Sequence, residues 1–508
     1  GCSRRLGTMR TFLAALLALL LLPALARADD WQTSSPEAQG MGSRELADFV
    51  AFGVSNGMDS LLVTRHGKIV AEAYYAPFAP GLRHRVNSTT KSVIGSLVAI
   101  ALKEGLLKSL DQPVLDFFPG RQFANTDERK KAITLRHLLD MTSGLDWNEP
   151  LSNARPWSLF EMERSRDWVQ FVLDHRMARE PGTAFDYNSG NPHLLSAILS
   201  KVTGRSALEY AKEKLFKPLG IEDVQWRADP QGVSTGGFGL YLLPRDMAKL
   251  GTLWLHDGTW DGQRLLPPGW IDTVRHATIE MGLPEFRYAN LFWSIPKKDA
   301  FMAVGFHRQL IVTMPKLDIV AAFTGALRYS NAAGMPSTPG YPLSAVLDRL
   351  KAAVKSDAAL PQDPAALAEL ADETRKVAQE ARTQGGGFSP LATTISGKVY
   401  RLQPNQLRLS SLSFTFENGQ ATYAYEVGGQ RFGGPIGLEG LYGVGGRRLY
   451  GPSAAKGKWL DDRTFQLEVE TLGNDDAGIA TFTFDDQVVS GRLETPIGFK
   501  VDFKGEAE

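Results

Sequence analysis

Ser88 and Lys91 stand three residues apart in the stretch RHRVNSTTKSVIGSLVAIALKEG, which covers residues 83 to 105. On a helix this spacing places both side chains on one face, with Cβ atoms about 5–6 Å apart. A serine hydroxyl becomes an effective nucleophile when a neighbouring base accepts its proton, and a neutral lysine amine can be that base. The pair therefore predicts a serine nucleophile that lysine activates.

The residues after Lys91 predict a helix without a polar face, which is typical of a buried helix. The apolar positions with helical spacing are Val93, Ile94, Leu97, Val98, Ala101 and Leu102. Burial favours the neutral form of a lysine and so lowers its pKa. The first turn of a helix also offers free backbone N–H groups that can stabilise a developing oxyanion. The start of this helix thus suits acyl transfer.

The Ser-x-x-Lys pattern alone has low specificity, because it recurs at Ser294 and Lys297 and at Ser453 and Lys456. Neither recurrence opens a predicted helix, so we interpret both as chance. The alternative for Ser88 is an ordinary helix-capping serine followed by a surface lysine.

Two further stretches could contribute to the same chemistry. Tyr187, in PGTAFDYNSGNPHLLSAIL, precedes an amphipathic helix, and its hydroxyl could relay a proton. Gly305, in AVGFHRQLIVTMP, precedes a strand and would allow a close backbone approach. The alternatives are a packing tyrosine and an ordinary tight turn.

In order and spacing these three elements resemble the serine β-lactamase/penicillin-binding fold, and within it the class C-like branch. The stretches LLDMTSGLDWNE, RDWVQFVLD and DYNSGN are most similar to 6-aminohexanoate-dimer hydrolases and β-lactamase-fold carboxylesterases. The resemblance implies that Ser88 is the nucleophile, that Lys91 is its general base or proton relay, and that Tyr187 protonates the leaving group and activates the deacylating water. It also implies an oxyanion hole formed by the backbone N–H groups of Ser88 and Phe306.

The same resemblance implies a set of substrate-binding residues. A loop around Trp147 and Trp157 would wall the pocket, and the remaining members of the set are Ser189, Gly305, His307 and Arg308. Two motifs depart from the family pattern. Gly305-Phe306-His307-Arg308 stands in the region of the usual Lys-Thr-Gly, and Ser189 replaces the asparagine of Tyr-x-Asn. These departures argue against an efficient β-lactamase and leave ester or amide hydrolysis open.

The pattern of elements predicts a mixed α/β (α+β) fold. Strands at both ends of residues 36–350 bracket a mostly helical insert, so the first and last strands can pair in one antiparallel sheet flanked by helices. An Ala/Glu/Arg-rich stretch at 355–388 predicts a helical linker. Alternating apolar residues and Gly or Asn/Asp turns at 390–508 predict a small all-β barrel or sandwich. We expect this C-terminal domain to modulate access to the site.

The first 28 residues have the pattern of a secretory signal peptide. Three arginines precede the apolar run at 12–22, and Ala26-Arg27-Ala28 matches a cleavage site, so we expect cleavage after Ala28 and a periplasmic or secreted protein. The single cysteine, Cys2, lies before this run, so the mature chain would have neither disulfides nor thiolate metal sites.

Lys+Arg and Asp+Glu both number 56, so the formal net charge of zero offers no field that would attract nucleic acid or an anionic membrane. The eight histidines are scattered and no His-Glu-x-x-His occurs, so we expect neither a metal nor a cofactor. We also expect no stable membrane insertion.

The prediction is a secreted serine hydrolase that cleaves small amides or esters through a Ser88 acyl-enzyme. Within the enzymes, the alternative is a D-alanyl or D-amino-acid peptidase, or a weak β-lactamase, acting on cell-wall-type substrates. Outside them, it is a non-catalytic envelope binding protein. The sequence leaves the oligomeric state open.

Overall fold

A computed structural model describes residues 31–151, 155–328, 343–384, 386–446, 448–475 and 477–508. The predicted signal peptide and its cleavage site lie outside these residues. Within them, an antiparallel sheet with helices is followed by a C-terminal all-β domain, as the sequence predicts. No helix of this part of the chain is both long and apolar enough to cross a bilayer.

The first domain is built on an eight-stranded antiparallel sheet with the order β2-β1-β13-β12-β11-β10-β9-β8. Its strands are β1 (Met58–Arg65), β2 (Lys68–Tyr74), β8 (Ile279–Glu280), β9 (Arg287–Ala289), β10 (Phe292–Ile295), β11 (Ala300–Gly305), β12 (Gln309–Met314) and β13 (Ile319–Gly325). The first strand pairs with the last, β1 with β13. Every residue of both strands is buried, so helices cover both faces of the sheet.

The helices of this domain lie mostly between β2 and β8. They are α1 (Ser43–Ser55), α2 (Thr89–Lys103), α3 (Glu128–Lys131), α4 (Leu135–Leu139), α5 (Trp157–Arg164), α6 (Trp168–Asp174), α7 (Gly190–Thr203), α8 (Ala207–Ala211), which continues as a π-turn (Lys212–Phe216), α9 (Lys217–Leu219), α10 (Pro244–Leu255), α11 (Trp270–Arg275) and α12 (Leu343–Ala353). Short 3₁₀ turns occur at Glu37–Gln39, Val114–Phe117, Pro296–Lys298 and Pro315–Leu317.

Helix α2 is the buried helix that the sequence predicts. Every residue from Thr89 to Ala101 is buried. Burial of each large aliphatic side chain there contributes about 1.5–3 kcal/mol to the stability of the fold. Gly95 lets the backbone at Asn290 approach closely, since a Cβ at Gly95 would lie 2.6 Å from that carbonyl oxygen. The Ser92 hydroxyl donates to the Leu291 carbonyl at 2.7 Å. These contacts fix the helix that carries Ser88 and Lys91 relative to the sheet.

A small three-stranded sheet fixes the start of α2. It has the order β3-β5-β4, with β3 (His84–Arg85), β4 (Gln225–Trp226) and β5 (Leu240–Leu242). His84 Nε2 lies 2.8 Å from the Asp59 carboxylate on β1, and both side chains are buried. This contact ties β3 to the large sheet four residues before the nucleophile candidate. A separate hairpin pairs β6 (Thr259–Trp260) with β7 (Gln263–Arg264).

The stretch 355–388, predicted as a linker, contains one helix, α13 (Pro364–Val377). Ala366 and Leu370 of this helix are buried, and Glu369 pairs with Arg44 of α1. The linker region is therefore packed against the first domain along this helix. The proposed domain boundaries stay predictions.

The C-terminal domain holds a short helix, α14 (Leu391–Ile395), and a ten-stranded antiparallel sheet with the order β17-β16-β15-β14-β23-β22-β21-β20-β19-β18. Its strands are β14 (Val399–Leu402), β15 (Leu409–Glu417), β16 (Gln420–Val427), β17 (Gln430–Ile436), β18 (Gly443–Val444), β19 (Ser453–Trp459), β20 (Thr464–Thr471), β21 (Ala477–Asp485), β22 (Val488–Glu494) and β23 (Lys500–Ala507). Backbone hydrogen bonds from Gly437 to Ala455 and from Gly457 to Gly437 draw the two ends together into a near-barrel. Its core is rich in aromatic side chains, including Phe414, Phe465, Phe482 and Phe484.

Candidate active site

Ser88 occupies the N-cap of α2, directly after a turn in which Asn87 has a left-handed backbone (φ 48°). The turn projects the serine side chain toward Lys91 on the first turn of the helix. Lys91 Nζ lies 2.8 Å from Ser88 Oγ and also donates to the Gly237 carbonyl at 2.8 Å. The spacing of three residues thus produces the direct contact that the sequence predicts.

Tyr187 brings a second proton-carrying group to the same oxygen. Its hydroxyl donates to Ser88 Oγ at 2.8 Å, and Lys91 Nζ lies 4.7 Å from the centre of its ring. Residues 99 positions apart therefore converge on one atom. Ser88, Lys91 and Tyr187 form a compact serine–lysine–tyrosine cluster, which we call the catalytic cluster.

Burial decides the protonation behaviour of this cluster. It lowers the pKa of Lys91 to about 8, an effect that the negative charge of Glu149 partly opposes. Burial and the same carboxylate raise the pKa of Tyr187 well above its ordinary value, although the hydrogen bond to Ser88 lowers it. The lysine can therefore be neutral in weakly alkaline solution, while the tyrosine keeps its proton.

Glu149 is a buried carboxylate that sequence reasoning missed. It accepts hydrogen bonds from the Trp147 indole at 2.9 Å, from the Ser189 backbone N–H at 2.8 Å, and from the Ser189 hydroxyl. It thereby anchors the segment that follows Tyr187. The sequence places Glu149 in a loop with no periodic pattern, so only its nearness to Trp147 could have drawn attention to it.

The two backbone N–H groups predicted to form the oxyanion hole belong to Ser88 and Phe306. Neither donates to a protein acceptor among the residues that the structure describes. Phe306 directly follows β11, whose last residue, Gly305, packs against the segment before Ser88. A Cβ at Gly305 would lie 2.3 Å from the Val86 carbonyl oxygen. The close approach predicted for Gly305 is thus toward the chain that carries the nucleophile.

The other predicted substrate-binding residues lie at different depths. Trp157 is half exposed and packs edge-to-face on Phe160, whereas Trp147 is buried against Phe171 and His175. Trp147 lies in a loop, and Trp157 is the first residue of α5. The two segments are in contact, because the Ser158 hydroxyl accepts a hydrogen bond from the Asn148 backbone N–H.

Ser189 and Arg308 are both more than nine-tenths buried, and the Ser189 hydroxyl donates a hydrogen bond to Glu149. His307 is mostly buried and faces Asp475. Their roles in substrate binding stay predictions.

In neither of the two other Ser-x-x-Lys pairs do the two residues lie on a helix as Ser88 and Lys91 do. Ser294 is in β10, with Lys297 in the turn that follows it. Ser453 and Lys456 both lie in β19. Side chains three apart on a strand point to opposite faces, so this pair cannot share a proton as the helical pair can.

One residue that bridges the domains was also missed. Asp475, in the turn between β20 and β21, accepts hydrogen bonds from Asn87 and from His307.

No group of three or more potential metal ligands is assembled within the described residues.

Comparison with known proteins bears directly on this arrangement. A family model described as "Beta-lactamase" matches residues 49–336, which include the whole catalytic cluster. The chain belongs to the β-lactamase family. It is a hydrolase of the β-lactamase fold, and proteins similar to it include other hydrolases.

Three similar proteins illustrate this family membership. The 6-aminohexanoate-dimer hydrolase of Paenarthrobacter ureafaciens is 28% identical over 284 residues, which are 52% of this chain and 71% of that protein. A provisionally assigned 6-aminohexanoate-dimer hydrolase from Bacillus anthracis has a solved structure with a TM-score of 0.54 and 20% identity, covering 65% of this chain and 89% of the other. EstCE1, a hydrolase with promiscuous acyltransferase activity, gives a TM-score of 0.50 and 18% identity over 61% of this chain and 99% of its own. The two structures share the fold with the first domain of this β-lactamase-family chain.

Proposed function

We propose that this β-lactamase-family chain is a secreted serine hydrolase that cleaves small amides or esters through an acyl-enzyme on Ser88. The observation that carries the proposal is the convergence of Lys91 Nζ and Tyr187 OH on Ser88 Oγ, each at 2.8 Å. A capping serine with a surface lysine would not require either contact, and Lys91 is only 2% exposed. The reaction needs no cofactor.

In the acylation step, neutral Lys91 accepts the hydroxyl proton of Ser88 as Oγ attacks the substrate carbonyl carbon. The carbonyl oxygen becomes an oxyanion, which the N–H groups of Ser88 and Phe306 stabilise. Lys91 is the better candidate for the base because its pKa is lowered to about 8 while that of Tyr187 is raised. Near pH 8 a large fraction of Lys91 is neutral and can accept a proton, whereas Tyr187 keeps its proton and can only donate it.

Collapse of the tetrahedral intermediate breaks the bond between the carbonyl carbon and the leaving group. Tyr187 donates its proton to the departing amine or alcohol, and the Lys91 ammonium restores the tyrosine proton. In deacylation Tyr187 passes its proton to Lys91 and takes one from water, which attacks the acyl carbon. The bond between the acyl carbon and Ser88 Oγ then breaks, the carboxylic acid leaves, and the Lys91 ammonium returns a proton to Ser88 Oγ. Protonation of the leaving group matters most for amides, because an amine anion is a very poor leaving group.

The choice of substrate class rests on the Gly305-Phe306-His307-Arg308 segment. The Lys-Thr-Gly that typically holds a β-lactam carboxylate is absent there, and the Arg308 side chain is largely buried. Phe306, in contrast, is 58% exposed beside the proposed oxyanion hole. We therefore propose small substrates with an apolar acyl or amine portion, rather than β-lactams or D-Ala-D-Ala peptides.

The deciding experiment replaces Ser88 with alanine and measures both turnover of a p-nitrophenyl ester and labelling by a fluorophosphonate probe. Both should disappear. Ser453→Ala removes the serine of the β19 Ser-x-x-Lys pair and serves as the matched control, which should keep both signals. Persistent turnover and labelling in the Ser88 variant would disprove the nucleophile.

A substrate comparison separates the proposed function from its alternatives. Initial rates on a linear amide dimer, a short-chain ester, a D-Ala-D-Ala peptide and a chromogenic β-lactam should rank the first two above the others. A dominant rate on the D-peptide would favour a cell-wall peptidase instead. Absence of any Ser88-dependent reaction would favour a binding protein.

A further inference from the structure

The turn between β20 and β21 belongs to the C-terminal domain and lies next to the segment that precedes Ser88 of the catalytic cluster. Its Gly473 carbonyl accepts a hydrogen bond from the Arg85 backbone N–H at 2.6 Å, and Asn474 accepts one from the Tyr241 hydroxyl at 2.8 Å. A Cβ at Gly473 would lie 2.1 Å from the Arg83 carbonyl oxygen. The turn is thus pressed against β3, immediately before the nucleophile.

Asp475 is the charged residue of this turn, and it contacts two separate segments of the first domain. Its Oδ2 accepts from Asn87 Nδ2 at 2.9 Å and lies 2.8 Å from His307 Nδ1. Asn87 Nδ2 donates in addition to the Phe306 carbonyl at 3.0 Å. Asp475 Oδ2 and the Asn87 side-chain amide therefore connect Asn87, which precedes Ser88, with Phe306 and with His307.

Both residues that Asp475 Oδ2 contacts have left-handed backbones, with φ of 48° at Asn87 and 58° at His307. Such conformations are costly for residues other than glycine and persist where surrounding contacts hold them. The peptide that joins Asn87 to Ser88 supplies one proposed oxyanion N–H. The other N–H lies on Phe306, whose carbonyl belongs to the peptide that leads into His307. Holding these two turns therefore fixes the direction of both N–H groups.

We propose that Asp475 is a positioning residue for the oxyanion hole, so that the C-terminal β domain completes the active site of the first domain. This inference rests on the proposed Ser88 hydrolase function. Asp475 acts through Asn87 and His307 and contacts neither the nucleophile nor the substrate. The C-terminal domain is then a structural part of the catalytic machinery, beyond the control of access expected from its position in the chain.

The electrostatic setting is compatible with a carboxylate near an oxyanion site. Arg85 lies 3.7 Å from Asp475 Oδ1, and His307 lies on Oδ2, so the negative charge is offset locally. Burial would raise the pKa of Asp475, but the hydrogen bond and charge of His307, with Arg85 and Asn87, hold it below its ordinary range. The side chain is therefore a carboxylate, and a hydrogen-bond acceptor, at neutral pH.

The test measures kcat and KM of the full chain with Asp475→Ala and Asp475→Asn, using a p-nitrophenyl ester and active-site titration to count competent Ser88 sites. Loss of a single oxyanion donor lowers kcat by about 10²–10³-fold. Because Asp475→Ala would misdirect the donors without removing them, we expect kcat per titrated site to fall about 10–100-fold, with KM changed less. Asp475→Asn keeps an acceptor oxygen and should recover part of the loss.

Asp485→Ala is the matched control, because Asp485 lies at the end of β21 in an exposed ion pair with Arg463. It should leave kcat and KM unchanged. Wild-type kcat per site in Asp475→Ala would overturn the proposal, and so would a loss explained entirely by fewer titratable sites. If the wild-type chain itself lacks Ser88-dependent turnover, the proposed function fails rather than the role of Asp475.

A double-mutant cycle provides the second readout. If Asp475 acts through His307, then Asp475→Ala should cost less in kcat when His307 is already alanine, since contacting residues are not additive. The same cycle is run with Asn87→Ala, and additive losses in both cycles would place the effect of Asp475 outside its two contacts and would contradict the proposed mechanism.

Discussion

At the scale of single residues, the chemistry depends on how far burial shifts one amine. Lys91 is the first-turn residue of a helix whose neighbours are all buried, and its pKa is lowered to about 8. The same environment would be costly for a permanent charge, because an ammonium loses hydration there. In the proposed mechanism, the apolar helix that stabilises the fold therefore also lowers the pKa of the lysine that serves as the base.

The first prediction concerns the pH dependence that Lys91 imposes. The proposed mechanism requires the neutral form of Lys91, so kcat/KM should rise with pH through about 8 and then level off. Lys91→Arg keeps a positive charge that cannot be lost near pH 8, and it should abolish the rise together with most of the activity. A pH–rate profile of the ester reaction checks this, and a flat profile between about pH 6 and 9 would contradict it.

The second prediction concerns Tyr187→Phe, which removes the proposed proton donor and leaves the ring in place. General acid catalysis contributes about 10²–10⁴-fold, and amide hydrolysis should lose an amount of this order. A p-nitrophenyl ester should lose much less, because nitrophenolate leaves without a proton. Parallel kcat/KM measurements on an anilide and the ester test the difference, and equal losses would argue against leaving-group protonation.

At the scale of elements, the sequence predicts what depends on local periodicity. The contact between Ser88 and Lys91 follows from helical spacing, and the pairing of β1 with β13 follows from strands at both ends of the first domain. Glu149 and Asp475 could not be predicted from the sequence, because each lies in a loop or turn. Each contacts residues that are dozens to hundreds of positions away in the chain. No periodic pattern marks a loop carboxylate that becomes important only through tertiary packing.

Strand β11 gives the prediction that belongs to this scale. Gly305→Ala would place a Cβ 2.3 Å from the Val86 carbonyl oxygen, so the strand end must move and carry the Phe306 N–H with it. A displacement near 1 Å at a catalytic group can cost about 100-fold in rate, and we expect kcat to fall by that order. Gly387→Ala, where a Cβ meets nothing within 4 Å, is the matched control. Unchanged kcat in Gly305→Ala would show that this approach does not position the oxyanion hole.

At the scale of the whole molecule, a buried ion network joins the two domains. Arg328 donates to Asp59 on β1 and to Glu470 on β20, each at 2.8 Å, and Asp59 also binds His84. Arg227 and Tyr241 pack around Tyr450 of the C-terminal domain close by. This interface lies beside β3. The residues that hold the two domains together therefore also contact the strand that leads to Ser88.

Arg328→Met tests whether this network holds the molecule together as one unit. The substitution leaves the carboxylates of Asp59 and Glu470 buried without their shared cation, and breaking a buried pair in this way costs about 3–5 kcal/mol. We expect a lower Tm and a split of the calorimetric transition into two, as the C-terminal domain uncouples from the first. Arg492→Met, which breaks an exposed pair with Asp502 in the same β domain, should leave the transition almost unchanged. A single unshifted transition in Arg328→Met would mean that packing at Tyr450, rather than the ion network, holds the interface.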